Sequence, residues 1–110
     1  MISKPFAKLI ERNFEKFCVM EQRGFFTMKF EIPASVPPSL KLYADMLKAF
    51  NQDLDDHQSC QAAYTAGFEG RTRETALILD EKHEAVRERF IALKPWVMKV
   101  NETLERDRER

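Results

Sequence analysis

The chain contains two histidines, His57 and His83, whose positions predict that they lie together. Both fall on seam positions of a helical pattern, almost equally far from a glycine turn near residues 69 and 70, so they should face each other across two antiparallel helices. Cys60 follows His57 by three residues and Asp80 precedes His83 by three, a spacing that shares one helix face. Imidazole, thiolate and carboxylate groups are typical ligands of zinc and other transition metals.

A purely structural layer explains the same residues. In such a layer the two histidines hydrogen-bond each other or nearby carboxylates and fix the register of the helices. The Asp-x-x-His spacing is common by chance, and nothing repeats it elsewhere in the chain. We therefore predict no metal and no cofactor, and keep His57, Cys60, Asp80 and His83 as the residues that would hold a metal.

Sequence motifs that are typical of enzymes are missing. There is no glycine-rich phosphate loop and no Gly-x-Ser-x-Gly turn, and neither Cys18 nor Cys60 has a cationic neighbour in a recognisable motif. The carboxylates Asp55 and Asp56 are adjacent on a helix, where they diverge into solvent. We therefore predict that the protein is not an enzyme.

The charge balance and the length restrict the class of protein further. The 110 residues include 18 basic and 18 acidic side chains, so no global positive field attracts nucleic acid. The length fits a single helical domain over residues 1–110. The start interleaves charges with apolar residues, unlike a signal peptide, and no stretch is long and apolar enough to span a bilayer. We expect a cytoplasmic protein that does not enter membranes.

The histidines must be positioned by helices, because apolar residues recur at three- and four-residue steps through most of the chain. The pattern predicts a first helix that ends at Gly24, and a long antiparallel hairpin with arms 39–68 and 71–108, the second kinked at Pro95. The fold class is therefore mainly α, a bundle of three main helices. The two coiled-coil seams are Leu40, Tyr43, Leu47, Phe50, Leu54, His57, Gln61, Tyr64 and Phe68, then Ala76, Leu79, His83, Val86, Phe90, Leu93, Val97, Val100 and Leu104.

Between the first helix and the hairpin, the apolar period changes to two. Phe26, Met28, Phe30 and Ile32 alternate with more polar positions, which predicts one short β-strand at 25–32 with a buried face. No second alternating run is present to pair with it. A lone strand leaves backbone groups unsatisfied unless another chain supplies the edge, so this strand predicts association.

The stretch FFTMKFEIPASVPPSLKLYADML resembles ribbon-helix-helix regulators, in which two chains pair their strands and outward residues read the DNA major groove. The resemblance implies a dimeric DNA-binding regulator with Phe25, Thr27, Lys29 and Glu31 facing outward. It covers only the middle of the chain. Only one of the four outward residues is basic, a helix precedes the strand, and the following helix is too long for the pattern. DNA binding is therefore an alternative hypothesis, as is a metal-binding bundle.

The function that these patterns favour is association with a protein. Tryptophan is enriched among residues that dominate interfaces, and Trp96 falls beside the seam, although it could equally pack under the first helix. The last turns of the hairpin overhang its first arm and have no partner unless the first helix or another chain covers them. We predict a non-enzymatic adaptor, accessory subunit or small inhibitor that binds a protein partner, forms a homodimer, or both. It would act through the strand edge and the kinked C-terminal helix. The predicted partner-binding residues are Phe25, Thr27, Lys29, Phe90, Trp96, Val97 and Leu104.

Overall fold

The computed structural model describes residues 3–32, 34–66 and 73–109 and is mainly helical, as the periodicity predicts. No described helix combines the length and the apolar composition that crossing a membrane requires. The molecule is elongated, with extents of 59 × 26 × 18 Å. In chain order the helices are α1 (Lys4–Arg23), a short 3-10 helix (Pro38–Leu40), α2 (Lys41–Ala66) and α3 (Arg73–Glu109).

Helix α1 ends where the sequence predicts. Gly24 adopts the left-handed conformation with φ 71°, and its amide donates to the Met20 carbonyl at 2.8 Å, which closes the last turn. Pro5 lies in the first turn, where its missing amide hydrogen costs no helical hydrogen bond. The buried face of α1 consists of Ile10, Asn13, Phe17 and Met20.

Helices α2 and α3 form the predicted antiparallel hairpin. Pairs of facing residues run in opposite directions along the two helices: Phe50 contacts Phe90, and His57 contacts His83. Burial confirms the first predicted seam from Tyr43 to Leu54 and the second from Val86 to Leu104. Each of these side chains contributes about 1.5–3 kcal/mol on burial. They are Tyr43, Leu47, Phe50 and Leu54 in α2, and Val86, Phe90, Leu93, Val97, Val100 and Leu104 in α3.

Helix α3 runs through Pro95 as one continuous helix of 37 residues. Proline cannot donate an amide hydrogen bond to the carbonyl four residues earlier, which here belongs to Ile91. Both residues are exposed, so water can reach that carbonyl. The predicted glycine turn, the end of the first arm at Phe68 and the start of the second at residues 71 and 72 lie outside the described residues.

The predicted β-strand at 25–32 is wrong, because the described residues contain no strand. The exposure of its side chains does alternate as the period of two requires. Phe30 is buried and Phe26 and Met28 are half-buried, whereas Phe25 and Thr27 are exposed. A strand needs a second strand for its hydrogen-bond ladder. Here the described hydrogen bonds to the backbone come from side chains instead, so the segment is not part of a sheet.

Two asparagines supply most of these hydrogen bonds. The Phe30 amide donates to Asn51 Oδ1 at 2.8 Å, and Asn51 Nδ2 donates to the Phe30 carbonyl at 2.9 Å. Asn13 makes the same pair of bonds with Glu31, at 2.8 and 2.9 Å. Adjacent residues of an extended chain present their backbone groups to opposite sides. The segment is therefore held between α2, which carries Asn51, and α1, which carries Asn13.

Five phenylalanines join all parts of the fold in one cluster. Phe17 of α1 stacks on Phe90 of α3, with ring centroids 4.5 Å apart. Phe26 lies 5.0 Å from Phe90, and Phe30 lies 5.1 Å from Phe50. Tilted and offset aromatic pairs of this kind add about 0.5–1.5 kcal/mol each beyond the burial of their area. The residue 25–32 segment is thus fixed to the core by its apolar side chains as well as by the asparagines.

Candidate functional site

The hydrophobic core does not extend along the whole hairpin. The described buried residues of α2 end at Leu54, and those of α3 begin at Val86. We call residues 55–66 of α2 and 73–85 of α3 the distal arm. It continues for about 12 residues in each helix, or about 18 Å at 1.5 Å per residue. None of its described residues is buried.

Along the core, one side of the hairpin is covered by α1. Ion pairs join Glu11 to Arg108 and Glu21 to Lys94, so α1 runs antiparallel to α3. Its last buried ring, Phe17, stacks on Phe90. Helix α1 continues to Arg23, and residues 24–27 then lie beside His57, Gln61 and His83. Past these residues the described part of the chain places no helix over the hairpin. The uncovered continuation is the distal groove, with a floor of His57, Gln61, Ala76, Leu79 and His83, all exposed or half-buried.

The two histidines lie at the inner end of the distal groove. Their ring centroids are 5.2 Å apart at an interplanar angle of 52°, which confirms that they face each other. Phe26 closes this end, with its ring 5.9 Å from that of His83. His57 Nδ1 is buried and has no hydrogen-bond partner among the described residues. Burial, and secondarily the charge of His83, lower the pKa of His57, so this imidazole stays neutral at pH 7.

A cavity of about 240 Å³ opens beside the histidines, and we call it the histidine pocket. It is smaller than the roughly 300–1,000 Å³ of sites that hold drug-sized ligands. At its rim, Phe25 is 67% exposed, the highest value among the exposed large hydrophobic residues of the described chain. The lining residues are Gly24, Phe25, Phe26, Thr27, His57, Gln58, Gln61 and His83.

The four candidate metal ligands do not converge. His57 and His83 meet, but the described residues contain no group of three or more His, Cys, Asp or Glu side chains that could hold a metal ion. Cys60 and Asp80 are not among the lining residues of the histidine pocket. The geometry therefore favours the structural layer over a metal centre at these positions.

The cysteines show no sign of activation as nucleophiles. Cys18 is exposed on α1, and desolvation together with the charge of Glu21 raises the pKa of its thiol. A raised pKa leaves less of the reactive thiolate at neutral pH. Cys60 is half-buried on α2 and is likewise unbonded to another cysteine. Neither position suggests a catalytic thiol.

Three of the predicted partner-binding residues lie in the core of this chain. Phe90 is 7% exposed, Val97 1% and Leu104 2%. The prediction treated the last turns of α3 as an overhang, but α1 reaches Arg108 through Glu11 and covers them. The correction is that this part of the C-terminal helix offers no apolar seam to a partner.

The other predicted partner-binding residues are at least partly accessible. Phe25, Thr27 and Lys29 are exposed, and Lys29 forms an ion pair with Asp55 of α2. Trp96 is half-buried against the core, and Lys99 Nζ lies 5.5 Å from the centroid of its ring. Of these, Phe25 and Thr27 line the histidine pocket, so they belong to the same site as the histidines.

The distal arm carries more acidic than basic side chains. Outside the arm, four acidic side chains form ion pairs, those of Glu11, Glu21, Glu31 and Asp53. Six others form none within the described residues: Glu15, Asp45, Glu88, Glu102, Glu105 and Asp107. In the distal arm, Asp55 pairs with Lys29, but no other acidic side chain forms an ion pair within the described residues. These unpaired side chains, all exposed, are Asp56, Glu74, Asp80, Glu81 and Glu84; the basic side chains of the arm are Arg73 and Lys82.

Sequence reasoning missed Asn13 and Asn51, the two residues that hold the segment at the edge of the site. A signal for one of them exists in the sequence. Asn13 falls on the apolar face of α1, between Ile10 and Phe17, and is 0% exposed. A polar residue at such a position must hydrogen-bond within the fold. Asn51 carries no comparable signal, because it lies beside the α2 seam and is only half-buried.

Comparison with known proteins assigns no family to this chain. No family model matches it, and no curated protein and no solved structure matches it. The function is therefore argued from the distal groove and the histidine pocket alone.

Proposed function

We propose that this protein is a non-enzymatic interaction module, such as an adaptor, accessory subunit or small inhibitor, that binds a helix of a partner protein in the distal groove. The observation that carries the proposal is the early end of the core. The hairpin continues beyond the layer of Leu54 and Val86, yet no described residue of the distal arm is buried.

Burial is the main source of helix stability in proteins, and isolated helices of about 12 residues are marginal in water. The two arms contact each other at His57 and His83, whose ring centroids lie 5.2 Å apart. They lack the third element that completes the core elsewhere. Along the core that element is α1, an amphipathic helix on the same side of the hairpin. A helix from a partner, lying in the distal groove, would extend this arrangement.

The histidine pocket offers an anchor point at the inner end of the groove. Interface energy is concentrated in a few large side chains that enter desolvated pockets. Phe25 presents an exposed aromatic ring, and Gln58 and Gln61 add amide groups that can hydrogen-bond a partner. The site therefore combines an apolar contact with polar groups for specificity.

The DNA-binding hypothesis depended on the predicted β-strand at 25–32, which the described residues do not form. Ribbon-helix-helix recognition requires paired strands, whereas residues 25–32 form no strand and are held by Asn13 and Asn51. Lys29, the one basic outward residue, is paired with Asp55. A protein partner fits these observations better than a polyanion.

The test compares four baits in extracts of the natural source: the unmodified chain and the variants Gln61→Trp, Gln52→Trp and Leu79→Asp. Gln61→Trp fills the groove with an indole, and since Gln61 is exposed the substitution leaves the core intact. Gln52→Trp makes the same change on an exposed position of α2 outside the distal arm. Circular dichroism would first confirm that the three variants are folded.

We expect a protein that is retained by the unmodified chain and by Gln52→Trp but not by Gln61→Trp. Leu79→Asp, which places a carboxylate on the groove floor, should also release it. Equal retention by all baits, or the absence of any specifically retained protein, would contradict the proposal.

A further inference from the structure

We infer that the helix bound in the distal groove is positively charged beside its apolar stripe. This inference rests on the proposed function and names the class of partner. Its basis is the excess of acidic over basic side chains on the distal arm, in a chain whose net charge is zero.

The distal arm carries more negative than positive charge. With Asp55 neutralised by Lys29, five exposed acidic side chains remain against two basic ones. Residues 55–85 together carry a net charge of −4, from Asp55, Asp56, Glu69, Glu74, Asp80, Glu81 and Glu84 against Arg71, Arg73 and Lys82, in a chain whose total is zero.

This charge acts on anything that enters the groove. A helix with its side chains is about 10 Å across, and charges are screened over about 8 Å at physiological ionic strength. Asp80 and Glu84 flank His83, the floor residue of α3, along the same helix. A cationic helix is therefore attracted and oriented by the arm, whereas an anionic one is repelled.

The same argument disfavours a second copy of this chain as the occupant. Two distal arms packed together would bring like net charges of −4 into contact, without the basic residues needed to pair them. Ion pairs of opposite charge already join two helices of this fold: Glu21 of α1 pairs with Lys94 of α3, and Glu11 pairs with Arg108. A partner that supplies lysine or arginine opposite Asp80, Glu81 and Glu84 would repeat that arrangement.

The test uses three designed helical peptides of about 18 residues, roughly one and a half times the length of the arm. All three share one apolar stripe, and their remaining positions are lysine, glutamine or glutamate. Fluorescence anisotropy measures their affinity for the full chain at about 50 mM and about 500 mM salt. A variant with Asp80→Asn, Glu81→Gln and Glu84→Gln removes the charge, and Glu102→Gln with Glu105→Gln, exposed on α3 outside the arm, is its control.

We expect the lysine peptide to bind about tenfold or more tightly than the glutamate peptide, with the difference shrinking at high salt. The triple variant should lose most of this preference, and the control variant should keep it. Equal binding of all three peptides would overturn the inference and leave the proposed function standing. Binding of none of them would overturn both, as would a dimer in light scattering that Gln61→Trp converts to a monomer.

Discussion

Asn51 pairs with the backbone of Phe30 through both groups of its side-chain amide, accepting from the Phe30 amide at 2.8 Å and donating to its carbonyl at 2.9 Å. A side-chain amide thus takes the place that a neighbouring strand occupies in a sheet. Asn13 does the same for Glu31 from the other side. The two contacts fix the segment that carries Phe25 and Thr27 to the rim of the histidine pocket.

Asn51→Ala should lower the free energy of unfolding by about 1–3 kcal/mol, because it leaves the amide and carbonyl of Phe30 without partners. Phe30 itself is 3% exposed, so water cannot easily replace the lost bonds. Urea denaturation measures the change. Gln52→Ala, at the next and exposed position, should stay within about 0.5 kcal/mol of the unmodified protein. Equal effects of the two substitutions would show that the paired amide does not hold the segment.

Two leucines on the hairpin seam should differ sharply in their contribution to stability. Leu54→Ala removes a side chain that is 0% exposed and should cost about 2–5 kcal/mol. Leu79→Ala, at a half-buried position of the distal arm, should cost less than about 1 kcal/mol in the free protein. Thermal and urea unfolding of both variants compare them directly. Similar losses would mean that the core extends into the distal arm.

His57 should make stability depend on pH. The native protein keeps this imidazole neutral where the unfolded chain already binds a proton, because its pKa is lowered from 6.5. The unfolded state therefore binds more protons below about pH 6.5, and the free energy of unfolding should fall as the pH is lowered from there. Above that pH, His57 should have no effect on the free energy of unfolding.

His57→Gln removes the titrating group and should flatten this part of the profile. His83→Gln should flatten it in part, because the charge of His83 is the second cause of the shift. Urea denaturation from about pH 5 to about pH 8 gives the profile. A profile that is unchanged in His57→Gln would assign the pH dependence to other groups.

Pro95→Ala should raise the free energy of unfolding. Proline in a helix interior costs about 3 kcal/mol of stability. Replacing it also makes the unfolded chain less restricted, which reduces the benefit by about 1 kcal/mol. The free energy of unfolding should therefore rise by about 2 kcal/mol. Pro95 is exposed, so no core packing is disturbed. Glu102→Ala, on the same helix, is the control and should change stability by less than about 0.5 kcal/mol. A loss of stability in Pro95→Ala would mean that the proline has a favourable role in α3.

The parts of the fold that the sequence predicted depend on local spacing. The seams from Tyr43 to Leu54 and from Val86 to Leu104 repeat at three and four residues, and a pattern of that kind fixes the buried face of a helix without reference to the rest of the chain. The facing of His57 and His83 followed from the same spacing, counted from the turn. These predictions succeeded because the hairpin is built from neighbouring elements.

The parts that failed depend on contacts between distant residues. An alternating period is shared by a strand and by any extended segment with one buried face, and only a partner decides between them. Here the partners are Asn13 and Asn51, which lie 18 and 21 residues away. Leu104 was predicted to be exposed to a partner because nothing local shows that α1 covers it. Cys60 and Asp80 do not line the histidine pocket for a local reason, because three residues along a helix leave an angle of about 60°.

In the proposed function, the distal arm is uncovered in the free protein and is covered by a partner helix in the complex. Hydrogen–deuterium exchange of the backbone amides tests it most directly, with and without the lysine peptide. We predict that residues 57–61 and 76–83 exchange much faster than residues 47–54 in the free protein and become protected at saturating peptide. Core-like protection of the distal arm in the free protein, or no gain of protection with bound peptide, would contradict the account.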